Sequence, residues 1–388
     1  MLLIVPSLWA YTPQVAPWGV ANVLAYGATG NGVTNDTAAV QAAASSGLPV
    51  FFPTGKYLLG LVTLTNCPMV YGAGPYFEGT NGVLIIPPNN TSTVFYVNTA
   101  QPITFRDLGF SGYVSNSTGA MIQIDDTTAS GTANLFACID NCIFDSCHIG
   151  VQIVRASSWT ITGSVFWNIS SNGCGVFIDN VFNKDQGDQS ISACTFNMTT
   201  WTNADGIAWQ GGGGLRIMNN KFFGGAPIVV NAGGANGAPT GQIYIEGNSI
   251  DNVTNPYPGI NIFNTTGSNF FGGITIIGNA MFAYGTLDSF ISISGSSNGS
   301  FGIVTISANS MYFSGASVIL GGAGVALTGV TNFNYNGNTL IGSGGGTGLV
   351  ITASGNGYVT GNMATNWTAN IVTNASGNPP SVHIGNNY

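Results

Sequence analysis

The fold is decided by a four-residue phrase that reads GNSI at 247–250, GNAM at 278–281, ANSM at 308–311 and GNTL at 337–340. The phrase begins as NNKF at 219–222 and continues as GNMA at 361–364 and GNNY at 385–388. Looser copies stand upstream as NCIF at 141–144, GSVF at 163–166 and ACTF at 193–196. The full copies begin 24 to 31 residues apart. A near-constant period of this size is typical of a solenoid, in which similar coils stack on one another.

A short segment with alternating side chains precedes each phrase. Ile243 and Ile245 alternate with Tyr244 and Glu246, which predicts a strand with one buried face. The second residue of the phrase forms a column, for which we predict a tight left-handed turn and hydrogen bonds from coil to coil. The column contains Cys142, Ser164, Cys194, Asn220, Asn248, Asn279, Asn309, Asn338, Asn362 and Asn386.

A second strand follows in each coil, as in GVQIV at 150–154, GVFID at 175–179 and GIAWQ at 206–210. With a third, weaker strand, the pattern predicts an all-β fold, a single-stranded parallel β-helix of roughly 10–12 coils. An open end of a solenoid exposes its core, so a cap is needed. We predict a short N-terminal capping helix over residues 37–43, with Asn35 or Asp36 as its N-cap and Gly47 ending it.

The pattern divides the chain into three predicted parts. Residues 1–20 form an apolar arm or attachment segment, residues 21–60 the N-terminal cap and first coil, and residues 61–388 the β-helix. The start, MLLIVPSLWA, lacks basic residues and contains Pro6, so it matches a cleaved signal peptide poorly. The alternative is an arm that packs on a partner. The chain stops on the repeated phrase itself, so we expect another subunit or protein to cover that end.

The composition excludes several classes of partner. Only 5% of residues are charged, and the net charge of −8 includes six Lys and Arg residues, so binding of nucleic acid is excluded. No apolar run is long enough to span a membrane. Cys138, Cys142 and Cys147 precede His148, but their spacing fits no common zinc motif. Because the turn column accounts for Cys142 and Cys194, we predict no metal and no other cofactor.

The segments NVLAYGATGNGVTNDTAAVQAA at 22–43 and PVFFPTGKYLL at 49–59 closely resemble the opening of the pectate-lyase-like β-helix superfamily. This superfamily includes phage tailspikes and polysaccharide depolymerases. The resemblance rests on Gly27, Gly30, Gly32, Asp36, Thr37, Pro53, Gly55, Lys56 and Tyr57. It implies a right-handed β-helix, often a homotrimer, that binds or acts on a polysaccharide. The polygalacturonase pattern is incomplete, because no paired Asp motif lies between Asn203-Ala204-Asp205 and Arg216-Ile217-Met218. A calcium pectate-lyase site is not clearly assembled either.

Charged side chains are concentrated in the middle of the chain. Eleven of the 22 Asp, Glu, Lys, Arg and His residues lie between positions 140 and 221. In DNVFNKDQGDQ at 179–189, Asp179 follows two inward residues and should point outward. Most glycosidases use two carboxylates, and we predict Asp179 with Asp185, Asp188 or Asp205 as the catalytic candidates. The alternative is that these carboxylates form only solvated ion pairs with nearby cations.

Four further residues are predicted to bind substrate. Arg155 ends the equivalent strand one coil earlier, and Lys184 lies in the same polar loop as Asp185. Trp167 and Trp201 fall in turns, where their rings could stack on sugars. By contrast, Trp159 and Trp209 align with inward columns and are predicted to lie in the core, and His148 is predicted to be structural.

Two functional hypotheses follow. The first is an extracellular or virion-borne polysaccharide depolymerase, a glycoside hydrolase more readily than a lyase, in which Lys184 or Arg155 would be the base of the lyase variant. The second is a non-catalytic receptor-binding, adhesive or structural virion protein, attached through residues 1–20 or the uncapped C-terminal end.

Overall fold

The computed structural model describes residues 19–77, 79–89, 93–112, 119–127, 136–156, 158–179, 188–199, 203–211, 214–232, 241–251, 257–264, 270–284, 289–295, 301–314, 323–342, 346–352, 355–367, 373–374 and 382–385. Of the predicted N-terminal arm, residues 1–18 lie outside these ranges. Among the described residues, no helix is long and apolar enough to cross a bilayer.

Three long parallel sheets make up nearly all of the structure. The first sheet contains Ala21–Asn22, Val50–Phe52, Met69–Gly72, Ile103–Arg106, Phe136–Asp140, Ser158–Thr162, Gln189–Ser192, Leu215–Met218, Ile243–Glu246, Phe270–Ile277, Phe301–Ser307, Val330–Asn336, Asn356–Thr360 and Val382–Ile384. The second contains Asn31–Asn35, Gly55–Leu58, Val83–Ile86, Gly109–Ser111, Ile143–Asp145, Val165–Trp167, Thr195–Asn197, Lys221–Phe223, Ser249–Asp251, Ala280–Tyr284, Ser310–Ser314, Thr339–Ile341 and Met363–Thr365. The third contains Val62–Leu64, Phe95–Val97, Ala120–Asp125, Ile149–Arg155, Cys174–Ile178, Asp205–Trp209, Ala226–Asn231, Ile260–Asn264, Ile291–Gly295, Ala323–Thr328, Thr347–Thr352 and Thr373–Asn374.

Each regular coil visits the first, second and third sheet in turn and pairs in parallel with the coils on either side. The all-β parallel β-helix predicted from the sequence is therefore confirmed. The sheets contain 14, 13 and 12 strands, so the solenoid has slightly more coils than the predicted 10–12. Inward side chains of all three sheets form one continuous apolar core, which includes Trp159 and Trp209 as predicted.

The capping helix is also confirmed, over Thr37–Ala44. It buries Val40 and Ala43 against the first coil. A 3-10 helix, Val23–Tyr26, precedes it. Asn35 caps the helix, since its side-chain oxygen accepts a hydrogen bond from the Thr37 N–H at 3.0 Å. The Asp36 carboxylate instead accepts hydrogen bonds from the backbone N–H groups of Thr29 and Gly30.

The turn between the first and second sheets differs from the prediction by one residue. Positive φ falls on the first residue of the phrase, as at Asn219 (56°), Gly247 (64°) and Ala308 (54°), and not on the second. The second residue keeps negative φ and points inward, so its side chain is buried. This explains why Gly and Asn dominate the first position of the phrase.

The predicted column of hydrogen-bonding residues is confirmed, and we call its amide part the asparagine ladder. Its members are Asn220, Asn248, Asn279, Asn309, Asn338 and Asn362. From Asn248 onward, each side-chain oxygen accepts hydrogen bonds from the backbone N–H and the amide of the ladder residue one coil earlier, as Asn279 does from Asn248 at 2.9 Å. The Asn220 oxygen accepts from the Cys194 backbone N–H at 2.9 Å. Each amide nitrogen in turn reaches a backbone carbonyl. Asn386 lies outside the described residues.

A second column, the phenylalanine stack, occupies the inward face of the second sheet. It contains Phe110, Phe144, Phe166, Phe196 and Phe222. Successive ring centroids are 4.7 to 4.9 Å apart and the rings are parallel within 8°. The coil spacing of about 4.8 Å therefore sets the spacing of the rings.

Candidate functional site

The candidate site is a groove on the outer face of the third sheet. Its floor is formed by Phe177, Ala208 and Val229, which lie side by side on three successive coils. The groove encloses about 300 Å³ and is open to solvent along one side. We call it the third-sheet groove. Its floor is apolar, and its polar groups lie at the two edges.

The edge where the strands begin carries His148, Asn172 and Asp205. Asp205 pairs in register with Cys174, and its backbone N–H donates to the Gly173 carbonyl at 2.9 Å. Burial raises the pKa of the Asp205 carboxyl to about 7. Burial also lowers the pKa of His148, whose Nδ1 lies 3.1 Å from the Ser170 hydroxyl oxygen.

Glycines behind this edge allow the strands to lie close to the next coil and to the phenylalanine stack. Gly175 and Gly206 follow Cys174 and Asp205 directly and face the phenylalanine stack. A Cβ atom at Gly206 would lie 2.6 Å from a backbone oxygen of the next coil and 3.0 Å from the Phe222 ring. The ring column thus requires glycine here, and the residue before each glycine stands at the groove edge.

The edge where the strands end carries Gln210, Asn231 and Phe263. Asn231 pairs in register with Phe263 on the next coil. This edge therefore offers amide groups and one half-buried ring. Together the two edges place hydrogen-bonding groups on both sides of an apolar floor, an arrangement typical of sites for small organic groups.

At neutral pH, His148 and Asp205 have opposite roles in the groove. The His148 imidazole is neutral and can accept a proton, because its pKa lies below the usual value of 6.5. The Asp205 carboxyl holds its proton over much of this range, because its pKa is about 7. Two titratable groups whose pKa values are moved in this way are suited to general base and general acid catalysis.

Asp179 lies beyond the opposite end of its strand, in a different charged cluster. Arg155 forms an ion pair with Asp125, and the Tyr96 hydroxyl donates to Asp125 at 3.3 Å. Burial raises the pKa of Asp179, and the charge of Asp125 adds to that increase, while a hydrogen bond from Gln152 opposes it. Arg155 is therefore engaged by a carboxylate of its own chain.

The register separates the predicted carboxylate pairs. Asp205 pairs with Cys174, and Asp179 stands five residues after Cys174 in the sequence. At about 3.3 Å per residue the two carboxylates are on the order of 16 Å apart, beyond the span of any glycosidase pair. Asp188 lies past the same strand end, just before the first-sheet strand that begins at Gln189. It therefore does not line the third-sheet groove with Asp205.

The remaining predicted site residues are scattered. Asp188 lines a separate depression on the first sheet with Phe136 and Trp159. Trp167 lies on the outer face of the second sheet, where its ring meets Phe77 edge-on at 5.8 Å. Lys184, Asp185 and Trp201 lie outside the described residues. The catalytic and substrate-binding roles of all these residues stay predictions.

No three His, Cys, Asp or Glu residues within the described ranges are placed to share a metal ion. All six cysteines are free thiols. The thiol of Cys194 donates to the Ser192 carbonyl, and its backbone N–H donates to the Asn220 side chain at 2.9 Å. Cys194 is therefore a member of the turn column, as the sequence predicts.

For His148 the sequence predicted only a structural role, although this residue lines the groove. The register places Ile149, Cys174 and Asp205, each just ahead of a glycine, in one column at the groove edge. His148 stands one residue before that column, so the glycine pattern of the sequence does not by itself single it out.

Residues 20–74 match the model of a family described as rhamnogalacturonase A/epimerase, pectate lyase-like. This segment contains the motifs on which the resemblance rests. No curated protein sequence matches the chain significantly.

Three solved structures illustrate the structural similarity. The A-module of mannuronan C-5 epimerase AlgE4 from Azotobacter vinelandii superposes with a TM-score of 0.66 and 17% identity, over 94% of this chain and 98% of that one. The catalytic unit of a GH87 α-1,3-glucanase from Streptomyces thermodiastaticus gives 0.55 and 13%, over 96% and 69%. ORF18 of Geobacillus virus E2 gives 0.50 and 19%, over 81% of this chain and 60% of that protein. The first coils of the chain thus match the pectate-lyase-like family, and the chain has the right-handed parallel β-helix fold of these proteins.

Proposed function

We propose that this protein cleaves a polysaccharide in the third-sheet groove. The observation that carries the proposal is the meeting of Asp205 and His148 in one groove, with pKa values that suit an acid and a base at neutral pH. Two of the similar structures are named as enzymes acting on polysaccharides, mannuronan and α-1,3-glucan, which supports a glycan as substrate.

In this proposal Asp205 is the proton donor. It protonates the glycosidic oxygen as the bond to the sugar carbon breaks. His148 accepts a proton from the water that attacks that carbon, and Ser170 orients the imidazole. The products are a reducing end and a free hydroxyl group. The Phe177 ring and the amides of Asn172 and Asn231 hold the sugar rings on either side of the cleaved bond.

The test is incubation with a panel of capsular and exopolysaccharides, following reducing ends and absorbance near 235 nm. We expect reducing ends without an absorbance rise, since hydrolysis creates no unsaturated sugar. Asp205→Asn and His148→Gln should each lower kcat/KM by about 100-fold or more, the usual contribution of a general acid or base. Glu246→Gln, an exposed carboxylate on another sheet, is the matched control and should retain full activity.

The pH dependence gives a second readout. Activity should fall as pH rises through about 7, where Asp205 loses its proton. Because the folded-state pKa is raised from 3.8, ionisation of Asp205 opposes folding, and its cost grows between pH 4 and 7. Asp205→Asn should therefore be at least as stable as the parent at pH 8, while inactive. Loss of activity together with loss of stability at pH 8 would argue against the catalytic role.

Two outcomes would replace the proposal. An absorbance rise would indicate a lyase. Retention of a polysaccharide without any products would favour the non-catalytic alternative, a receptor-binding or adhesive protein. Asp179→Asn and Asp188→Asn in the same assay test the assignment made from the sequence, which is wrong if both variants leave the activity unchanged.

An extracellular or virion-surface location fits this activity, since polysaccharides of this kind lie outside the cell. One of the similar structures is a protein of a virus, Geobacillus virus E2, which supports a viral protein. Assembly as a homotrimer, and attachment through residues 1–20 or the C-terminal end, stay predictions.

A further inference from the structure

A second groove lies on the outer face of the first sheet, near the C-terminal end of the solenoid. It encloses about 250 Å³ and is lined by Ile303, Asn332, Asn334, Asn356 and Tyr358, with backbone of the strands between them. We call it the C-terminal groove. It shares no lining residue with the third-sheet groove.

The register of three coils builds this groove. Ile303, Asn332 and Asn356 form one outward column, and Asn334 and Tyr358 form the next. Gly357 lies between the columns, and a Cβ atom there would be 2.3 Å from the Phe333 ring. The absence of a side chain at Gly357 therefore lets the Phe333 ring fill the core directly beneath the groove.

Tyr358 provides a flat wall. Its side chain is 58% exposed, although it stands on a regular strand. Its ring stacks on His383 of the next coil, with centroids 5.2 Å apart and planes 18° apart. Since His383 covers one face of the ring, the other face borders the groove on the Asn334 side.

Asn332 and Asn334 supply unused hydrogen-bonding groups. The Asn334 oxygen accepts from Asn336 at 3.0 Å, and the Asn332 amide nitrogen donates to the Gly302 carbonyl at 3.5 Å. Among the described residues, the amide nitrogen of Asn334 and the side-chain oxygen of Asn332 make no further hydrogen bond. One donor and one acceptor therefore remain on two adjacent columns.

Asp, Glu, Lys and Arg are absent from the sequence after Asp288. His383 lies against the Tyr358 ring and is not among the lining residues of the groove. A charged ligand would lose solvation in the groove without gaining an ion pair with a lining residue. A pyranose ring fits better, because its CH face can pack on an aromatic ring while its hydroxyls bind amides.

We propose that the C-terminal groove is a binding site for an uncharged sugar residue of a glycan chain, separate from the cleavage site. The sugar packs on the free face of Tyr358, and its hydroxyl groups bind Asn332 and Asn334. The site holds the polymer to the rod and carries out no chemistry.

The test measures binding by affinity electrophoresis and titration calorimetry, with dextran, laminarin, pullulan and galactomannan as neutral glycans and polygalacturonate as the acidic one. We expect at least one neutral glycan to bind, and Tyr358→Ala to weaken that binding at least tenfold. Tyr358→Trp should retain it. Tyr312→Ala removes another exposed tyrosine, from the second sheet, and should leave affinity unchanged.

Asp205→Asn keeps this test separate from the proposed cleavage, since the variant should bind like the parent whether or not cleavage occurs. The inference is overturned if no neutral glycan binds, if polygalacturonate binds more tightly, or if affinity survives Tyr358→Ala. Loss of binding in both tyrosine variants would also overturn it, because the effect would not be specific to the groove.

Discussion

The two halves of the solenoid stabilise the same corner of the coil by different means. In the N-terminal half the inward column of the second sheet is the phenylalanine stack, and the turn column holds Cys142, Ser164 and Cys194. In the C-terminal half the stack gives way to Ile250 and Met281, and the turn column becomes the asparagine ladder. The exchange occurs within one coil, at Asn220 and Phe222.

This difference shows that one backbone repeat accepts either of two stacking chemistries. Rings stack through dispersion and offset geometry and demand glycines beside them, as at Gly206. Amides stack through hydrogen bonds and satisfy the buried N–H of the turn in the preceding coil. The glycine requirement also shapes the surface, since the residues ahead of these glycines form the edge of the third-sheet groove. The candidate site therefore lies in the ring half of the molecule.

The largest effect is expected from breaking the ladder. Asn279 is fully buried, and its side chain bonds Asn248, Asn309 and the Ile245 carbonyl. Asn279→Ala removes the five hydrogen bonds of this side chain, at about 1 kcal/mol each, and takes the partner from the buried Asn248 N–H, so the loss of stability should exceed about 4 kcal/mol.

Ser164→Ala is the matched change in the N-terminal half. The Ser164 hydroxyl accepts from the Cys142 N–H at 3.1 Å and donates to the Thr162 carbonyl at 3.0 Å. Its loss should cost less than half as much. Urea unfolding, with hydrogen exchange of the adjacent coils, measures both. Equal costs would mean that the ladder gives no greater stability than a single hydroxyl.

Breaking the ring column should have an intermediate effect. Phe166 lies between two parallel rings, at 4.9 and 4.7 Å. Phe166→Leu removes both stacking contacts and leaves a gap, and we expect a loss of about 2 kcal/mol. Met281→Leu, at the equivalent position of the other half, conserves volume and should cost less than about 1.5 kcal/mol. The midpoints of urea unfolding compare the two, and a larger cost at Met281 would contradict the importance of the stacked rings.

The repeat made the fold predictable because each coil restates the same phrase at nearly the same spacing. The error in the turn arose because the sequence shows which positions recur but not which backbone angle each adopts. The site was harder to predict, because a groove depends on register between residues about 30 positions apart. Asp205 was among the candidates, but its neighbour His148 follows from the alignment of Ile149 with Cys174. For the segment between Asp179 and Asp188 the sequence gives no such alignment, because the length of a loop does not indicate which residues pair across coils.

The smallest effect is expected from extending the ladder by one coil with Cys194→Asn. The Cys194 thiol already points at the Ser192 and Ile161 carbonyls, at 3.3 and 3.7 Å, as the amide nitrogen of Asn279 points at Ile277 and Ile245. An amide at position 194 would replace the weak thiol contacts by hydrogen bonds, and its N–H would also donate to the Asn220 side-chain oxygen. We expect a change of stability within about 1 kcal/mol, on the stabilising side, because a net hydrogen bond contributes that much. Cys147→Asn is the control, since Cys147 is equally buried but lies outside the turn column, and it should lose stability. If thermal unfolding showed both variants destabilised alike, the two halves would not be interchangeable at their boundary, and the ladder would depend on more than the residue at one position.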